Sequence, residues 1–258
     1  MKDIADIKKL LDKEVSSRNS DDELSYDKPD PLLVASRYKD ESIILLCALF
    51  AYGKASLIVK FLDSLDFSLL NESEEVIEKE LQNHYYRFQN KTDVITAFKA
   101  FRRIKQEDSL NNIFVDAYKK EENVLEGIDA LIKKIKTVNP HVSQGYTFLI
   151  SNEFKRDKQG AIKEIGNAPY KRWNMFLRWM VRRDELDLGL WKGIDKKDLV
   201  LPLDTHTFKV SQKLGLLNRK TYDLKSALEI TAKLKEFDSS DPIKYDFALY
   251  RIGQESIL

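Results

Sequence analysis

A chain of 258 residues with 43 basic and 42 acidic side chains carries a formal charge of +1, so any polyanion must meet charge that is segregated locally. With one cysteine, Cys47, an intrachain disulfide and a four-cysteine iron–sulfur cluster are both excluded. The acid-bearing start Met1-Lys2-Asp3-Ile4 has no apolar signal core and no run approaches the roughly 18 apolar residues of a membrane span, which predicts a cytoplasmic protein.

Nine glycines and six prolines are too few for the frequent turns of a β-rich fold. Apolar residues instead recur at helical spacing from the start. Ile4, Ile7, Leu10 and Leu11 mark a first helix. An acidic, proline-punctuated stretch from Ser20 to Pro31 reads as a solvated connector. Asp40 or Ser42 opens a helix through Tyr52, which Gly53 ends. Further helices are predicted over Ala55–Leu65, Glu74–Tyr86, Asp93–Ile104, Leu110–Tyr118 and Val124–Ile135. Cys47 sits in the apolar run Ile43–Phe50, where a buried structural thiol is expected. No stretch alternates with period two, so the fold class is all-α. The chain is read as a single helical unit, 1–258, or as two lobes, about 30–135 and 140–258, with loop-rich segments at Asn139-Pro140-His141 and Lys155–Gly160.

The region after Gly166 holds all three tryptophans. Lys171–Arg183 carries five basic residues and no acid. At about 100° per residue, Lys171, Arg178 and Arg182 share one stripe, flanked by Arg172 and Arg183. Trp173, Phe176, Leu177 and Met180 face the other way. Such a stripe suits a polyanion; it is equally an ordinary helix face whose arginines pair with acids elsewhere. Next, Pro202 and its apolar neighbours read as a buried, extended entry to a helix that Asp204 caps. A carboxylate fixed there is either a plain cap or a group aimed into a cleft. The three histidines, His84, His141 and His206, are scattered, and no metal-ligand spacing, phosphate loop or serine-hydrolase elbow is present. Neither a metal nor any other cofactor is expected.

Leu203-Asp204-Thr205-His206, then Lys209-Val210 and Leu214-Gly215-Leu216, resemble the V-D-T-H-V…R-V…R-L-G-L signature of helix-hairpin-helix DNA glycosylases, the endonuclease III superfamily. Asp30-Pro31-Leu32-Leu33 and the helices from Asp40 to Leu65 resemble its opening helices. Lys171–Arg182, Leu188–Trp191 and Asp241–Leu249 resemble an uncharacterised bacterial family similar to the archaeal 8-oxoguanine glycosylases. The resemblance implies a two-lobed glycosylase fold without an iron–sulfur cluster. It also implies a monomer that binds double-stranded DNA carrying a damaged base, with no membrane or nucleotide partner, and flips that base into a pocket between the lobes.

By the same resemblance, Asp204 is the aspartate that stabilises the oxocarbenium-like sugar, and Lys171 is the Schiff-base nucleophile. Its register also admits Arg172 at the nucleophile's position, and only lysine can do that chemistry, as the neutral amine that a dry pocket favours. Arg172, Arg178, Arg182 and Arg183 become DNA contacts, and Trp179, Trp191 and His206 base-pocket candidates. The sequence departs from the superfamily at the hairpin, where L-P-G-V-G is absent and Ile165–Tyr170 is the glycine-bearing turn in its place. Two other readings use the same residues: a non-catalytic module recognising abasic or distorted DNA, and a helical protein–protein adaptor in which the basic face is solvated and Asp204 only a cap.

Overall fold

A computed structural model describes residues 3–255. Among them no β-strand forms; isolated bridges pair Tyr86 with Gln89, Arg156 with Ile162 and Arg183 with Leu188. The all-α expectation holds. Among the described residues no helix is long and apolar enough to cross a membrane.

The chain divides into two compact units, but not where the loops suggest. One combines the segment up to Glu23 with the chain from Lys155 onward, and the other spans Leu24–Phe154. The N-terminal helix α1 (Ile4–Arg18) therefore belongs with the C-terminal half. Two long-range contacts account for this. The Arg18 guanidinium reaches the Glu255 carboxylate at 2.7 and 2.9 Å, and the Tyr245 hydroxyl donates to Asp12 at 2.8 Å.

In the Leu24–Phe154 unit the acidic connector ends where Pro31, at the first position of α2 (Pro31–Ala35), follows the Asp30 cap. This is the favoured place for a proline, whose missing N–H has no helical partner to lose. Helix α3 (Glu41–Leu49), capped by Asp40, is buried from Ser42 to Leu49, which is why its sequence shows an unbroken apolar run instead of a stripe. Cys47 lies inside it with no exposed surface, and burial pushes its thiol above the ordinary range. Helices α4 (Ala55–Asp63), α5 (Glu74–Glu80) and α6 (Lys91–Glu107) follow. The fifth ends at Glu80, short of the predicted Tyr86, in a turn where the His84 N–H donates to the Leu81 carbonyl at 3.0 Å, and the chain then turns back on itself from Tyr86 to Gln89. A reciprocal capping box between Asn90 and Asp93 then restarts the helix. Helices α7 (Leu110–Glu121), α8 (Val124–Val138) and α9 (Gln144–Ile150) complete the unit.

Gly145, at the start of α9, is where the 86–89 turn docks: a Cβ there would run into the Phe88 carbonyl and the Asp93 carboxylate. Its own carbonyl accepts from the Gln89 amide at 2.7 Å. Gly145→Ala is expected to lower stability by about 1–3 kcal/mol, the usual range for overpacking, read as a lower urea midpoint at unchanged slope.

The other unit contains α1, α10 (Lys171–Val181), α11 (Thr205–Lys213), α12 (Leu224–Phe237) and α13 (Asp246–Gln254). Segment 151–170, between α9 and α10, forms no helix, so the turn at Ile165–Tyr170 is not the short hairpin between two helices that the resemblance implies. Asn167 orders it instead. Its carbonyl oxygen accepts from the Lys155 N–H at 2.9 Å, and its amide donates to the Lys155 and Lys163 carbonyls at 3.1 and 2.7 Å. Helices α11 and α13 approach closely because Gly253 faces the His206 Cβ and Val210.

Candidate active site

Helix α10 opens abruptly. Tyr170 takes a left-handed conformation (φ 48°) and caps it without a side-chain bond, while the Asn174 amide donates to the Pro169 carbonyl at 3.0 Å. This fixes Lys171 in the first turn. From Trp173 to Met180 every residue is buried, so α10 is a core helix and not a surface helix with a basic stripe.

Two of the expected DNA contacts are corrected on this ground. Arg178 and Arg182 are only 4% and 6% exposed, and their guanidiniums are held by carboxylates. Arg178 bonds Asp187 at 3.1 Å and Asp246 at 2.7 Å. Arg182 bonds Asp241 at 2.8 Å, Asp184 at 3.0 Å and Asp187. A buried arginine with all its acid partners in place has no face to offer a phosphate. The alternative of arginines pairing with acids elsewhere in the fold is the one the structure shows. Arg183 is exposed and Arg172 half-buried.

The tryptophans are corrected likewise. Trp179 and Trp191 are 1% and 5% exposed. The Trp179 carbonyl accepts from Leu188 and Gly189 N–H at 2.8 and 3.1 Å, and Trp191 stands edge-on to Phe176 with ring centres 5.0 Å apart. They are core packing, not pocket walls. His206 is exposed, its ring 6.2 Å from that of Tyr250.

Asp204 stands where the sequence puts it. The buried stretch Leu199–Leu203 leads in, with the Leu201 N–H bonded to the Thr231 hydroxyl at 3.0 Å. One Asp204 carboxylate oxygen then accepts from the Thr207 N–H at 2.8 Å, capping α11. The other lies 4.0 Å from the Lys171 amine. Cap and ion pair therefore use different oxygens of one carboxylate, and the two functions do not compete. The Lys171 side chain keeps 30% of its surface exposed and that of Asp204 16%, so Lys171 is part-exposed and not enclosed in the dry surroundings that its proposed chemistry favours.

Sequence reasoning misses two neighbours. Asp246, the first residue of α13, is buried beside Arg178; burial raises its carboxyl to about 6 against the pull of that guanidinium, and the negative charge of Asp204 adds to the rise. Tyr222 donates its hydroxyl to the Leu203 carbonyl at 2.6 Å. Burial and the Asp204 charge push that phenol above its ordinary range. Asp246 lies inside the stretch Asp241–Leu249 that carries part of the resemblance, but nothing in its spacing singles it out.

This arrangement brings together a part-exposed amine and a carboxylate fixed by a helix start, backed by a buried ionic network. Such a pair can supply a nucleophile and a group to take its proton. Neither a curated protein nor a solved structure matches the chain. A family model does match it, over residues 30–255. The chain accordingly belongs to the family described as protein of unknown function DUF2400.

Proposed function

We propose that this protein is a DNA N-glycosylase with abasic-site lyase activity, acting on an oxidised purine of the 8-oxoguanine kind. The observation that carries the reading is the 4.0 Å approach of the Lys171 amine to the Asp204 carboxylate, two groups 33 positions apart in sequence. The likeness of Leu203–Leu216 and Lys171–Arg182 to the helix-hairpin-helix glycosylases supplies the reaction. The Lys171 nitrogen attacks the sugar's anomeric carbon as the bond to the base breaks, and the bonding pair leaves with the base. The Asp204 carboxylate stabilises the positive charge on the sugar and accepts the proton that the amine gives up. Ring opening then leaves a Schiff base. Arg172 and Arg183 remain as candidate backbone contacts, which makes the DNA interface leaner in charge than the sequence suggests.

Borohydride trapping tests this on double-stranded oligonucleotides carrying 8-oxoguanine or an abasic site. The wild-type protein is expected to give a covalent adduct. Lys171→Ala and Lys171→Arg are both expected to give none, since a guanidinium stays protonated and cannot attack. No adduct from wild type on either substrate overturns the enzyme reading. The partial exposure of Lys171 favours one second reading, an ammonium–carboxylate pair on a surface that recognises damaged DNA without cutting it. Salt-sensitive binding without an adduct is its signature.

A further inference from the structure

The Leu24–Phe154 unit carries an exposed aromatic cluster that the proposed chemistry does not use. Its apex is the Tyr86–Gln89 turn, closed by backbone bonds of 3.0 and 2.9 Å between those two residues. Arg87 sits in it at φ 53°, a conformation few non-glycine residues adopt. Such backbone persists only where its surroundings enforce it. Here the Tyr86 hydroxyl donates to the Tyr52 carbonyl at 2.7 Å, the Gln89 amide is tied to Gly145, and Gly53 leaves room for the Arg87 side chain.

The effect is to hold Phe88 outward, 56% exposed, beside Phe148 at 41% and Tyr85 at 75%. Phe88 lies parallel to Tyr52, with ring centres 6.1 Å apart and planes 2° from parallel. Phe148 stands edge-on to both, at 4.8 and 5.1 Å. The Arg87 guanidinium lies over Tyr52 and Phe88, at 5.8 and 5.7 Å from their ring centres. The segments that carry the cluster are basic. Segments 51–57, 84–92 and 144–150 hold Lys54, Arg87 and Lys91 and no acidic residue, in a chain whose total charges almost cancel. The adjacent Asp93 is 1% exposed and accepts from the Asn90 N–H and the Ser143 hydroxyl.

Exposed rings held rigidly among cations fit one ligand chemistry well: flat aromatic bases strung on phosphates. We propose that the Tyr52–Phe88–Phe148 cluster is a stacking surface for unpaired bases of a single-stranded nucleic acid, with Arg87 and Lys54 meeting its phosphates. A duplex hides its base faces and fits poorly. A protein partner would be expected to bring acids to the cations and would not need bases.

Fluorescence anisotropy of the full chain with labelled dT15, rU15 and a 15-base-pair duplex tests this. Wild type is expected to bind dT15 or rU15 more tightly than the duplex, with affinity falling as salt rises. Phe88→Ala/Phe148→Ala is expected to weaken single-strand binding at least tenfold. Arg87→Gln is expected to reduce the salt slope by about 1. Circular dichroism should show both variants folded, since all three side chains are exposed. The proposal is overturned if neither single strand binds at low salt, or if the double variant binds like wild type. It is equally overturned if wild type is a dimer that the double variant dissociates, because a second copy then covers the cluster. The proposal does not rest on the glycosylase reading: its readout is single-strand affinity, and a missing borohydride adduct leaves it standing.

Discussion

Asp204→Asn is expected to slow base release by about 100-fold or more while leaving stability within about 0.5 kcal/mol of wild type. Asparagine and aspartate cap helices almost equally well, and the side-chain oxygen of the substituted amide can still accept from the Thr207 N–H that Asp204 holds at 2.8 Å. What disappears is the charge 4.0 Å from the Lys171 amine. Removing one group that stabilises developing charge lowers rates by about 10²–10³-fold, and losing the proton acceptor acts in the same direction. Asp204→Ala removes charge and cap together, and should add a stability loss of about 0.5–2 kcal/mol. Single-turnover release of 8-oxoguanine, set beside urea unfolding of both variants, separates the roles. If Asp204→Asn keeps the wild-type rate and only Asp204→Ala loses stability, the residue is a cap and nothing more.

The contrast between Asp204 and Arg178 shows what a sequence discloses. A helix cap is a local event. Asp204 needs only Thr207, three positions on, so its place and conformation are legible. The fate of Arg178 depends on Asp187 and on Asp246, 68 positions away, and helical spacing carries no trace of either. The pattern of Lys171, Arg178 and Arg182 therefore reads as a solvated stripe, although buried acids turn its last two members inward. The pairing of Lys171 with Asp204 is legible through family likeness and not through spacing, for the same reason. The aromatic cluster is hidden differently. Tyr85-Tyr86 looks like the tail of the helix predicted over Glu74–Tyr86, which in fact ends at Glu80, and the residue that bends the turn beyond it, Arg87, adopts a positive φ that glycine would have advertised.

Arg178→Met should be the most destabilising single change in the unit that holds the site, at about 3–5 kcal/mol at pH 7, the magnitude of breaking a buried pair from one side. Two guanidiniums, those of Arg178 and Arg182, serve the carboxylates of Asp184, Asp187, Asp241 and Asp246, with Lys196 3.3 Å from Asp241 as a further cation. Removing one guanidinium leaves Asp187 and Asp246 as buried charges without their full compensation. The loss should also depend on pH in a fixed direction. The Asp246 carboxyl titrates at about 6 in the folded protein against 3.8 as its ordinary value. Between those values the folded chain holds a proton that the unfolded chain has released, so this group's contribution to stability falls as pH rises from about 4 to about 6. Without Arg178 both acids are held still more strongly in their neutral form, and the variant should recover part of its deficit on going from pH 7 to pH 5. Arg178→Met/Asp246→Leu removes one of the stranded charges along with its partner and should be more stable at pH 7 than Arg178→Met alone. Urea midpoints for the single and double variants at pH 5 and pH 7 measure both effects. A single variant that loses less than about 1 kcal/mol at pH 7, or that is weaker at pH 5 than at pH 7, would mean that the network of arginines and aspartates does not hold α10 against α13.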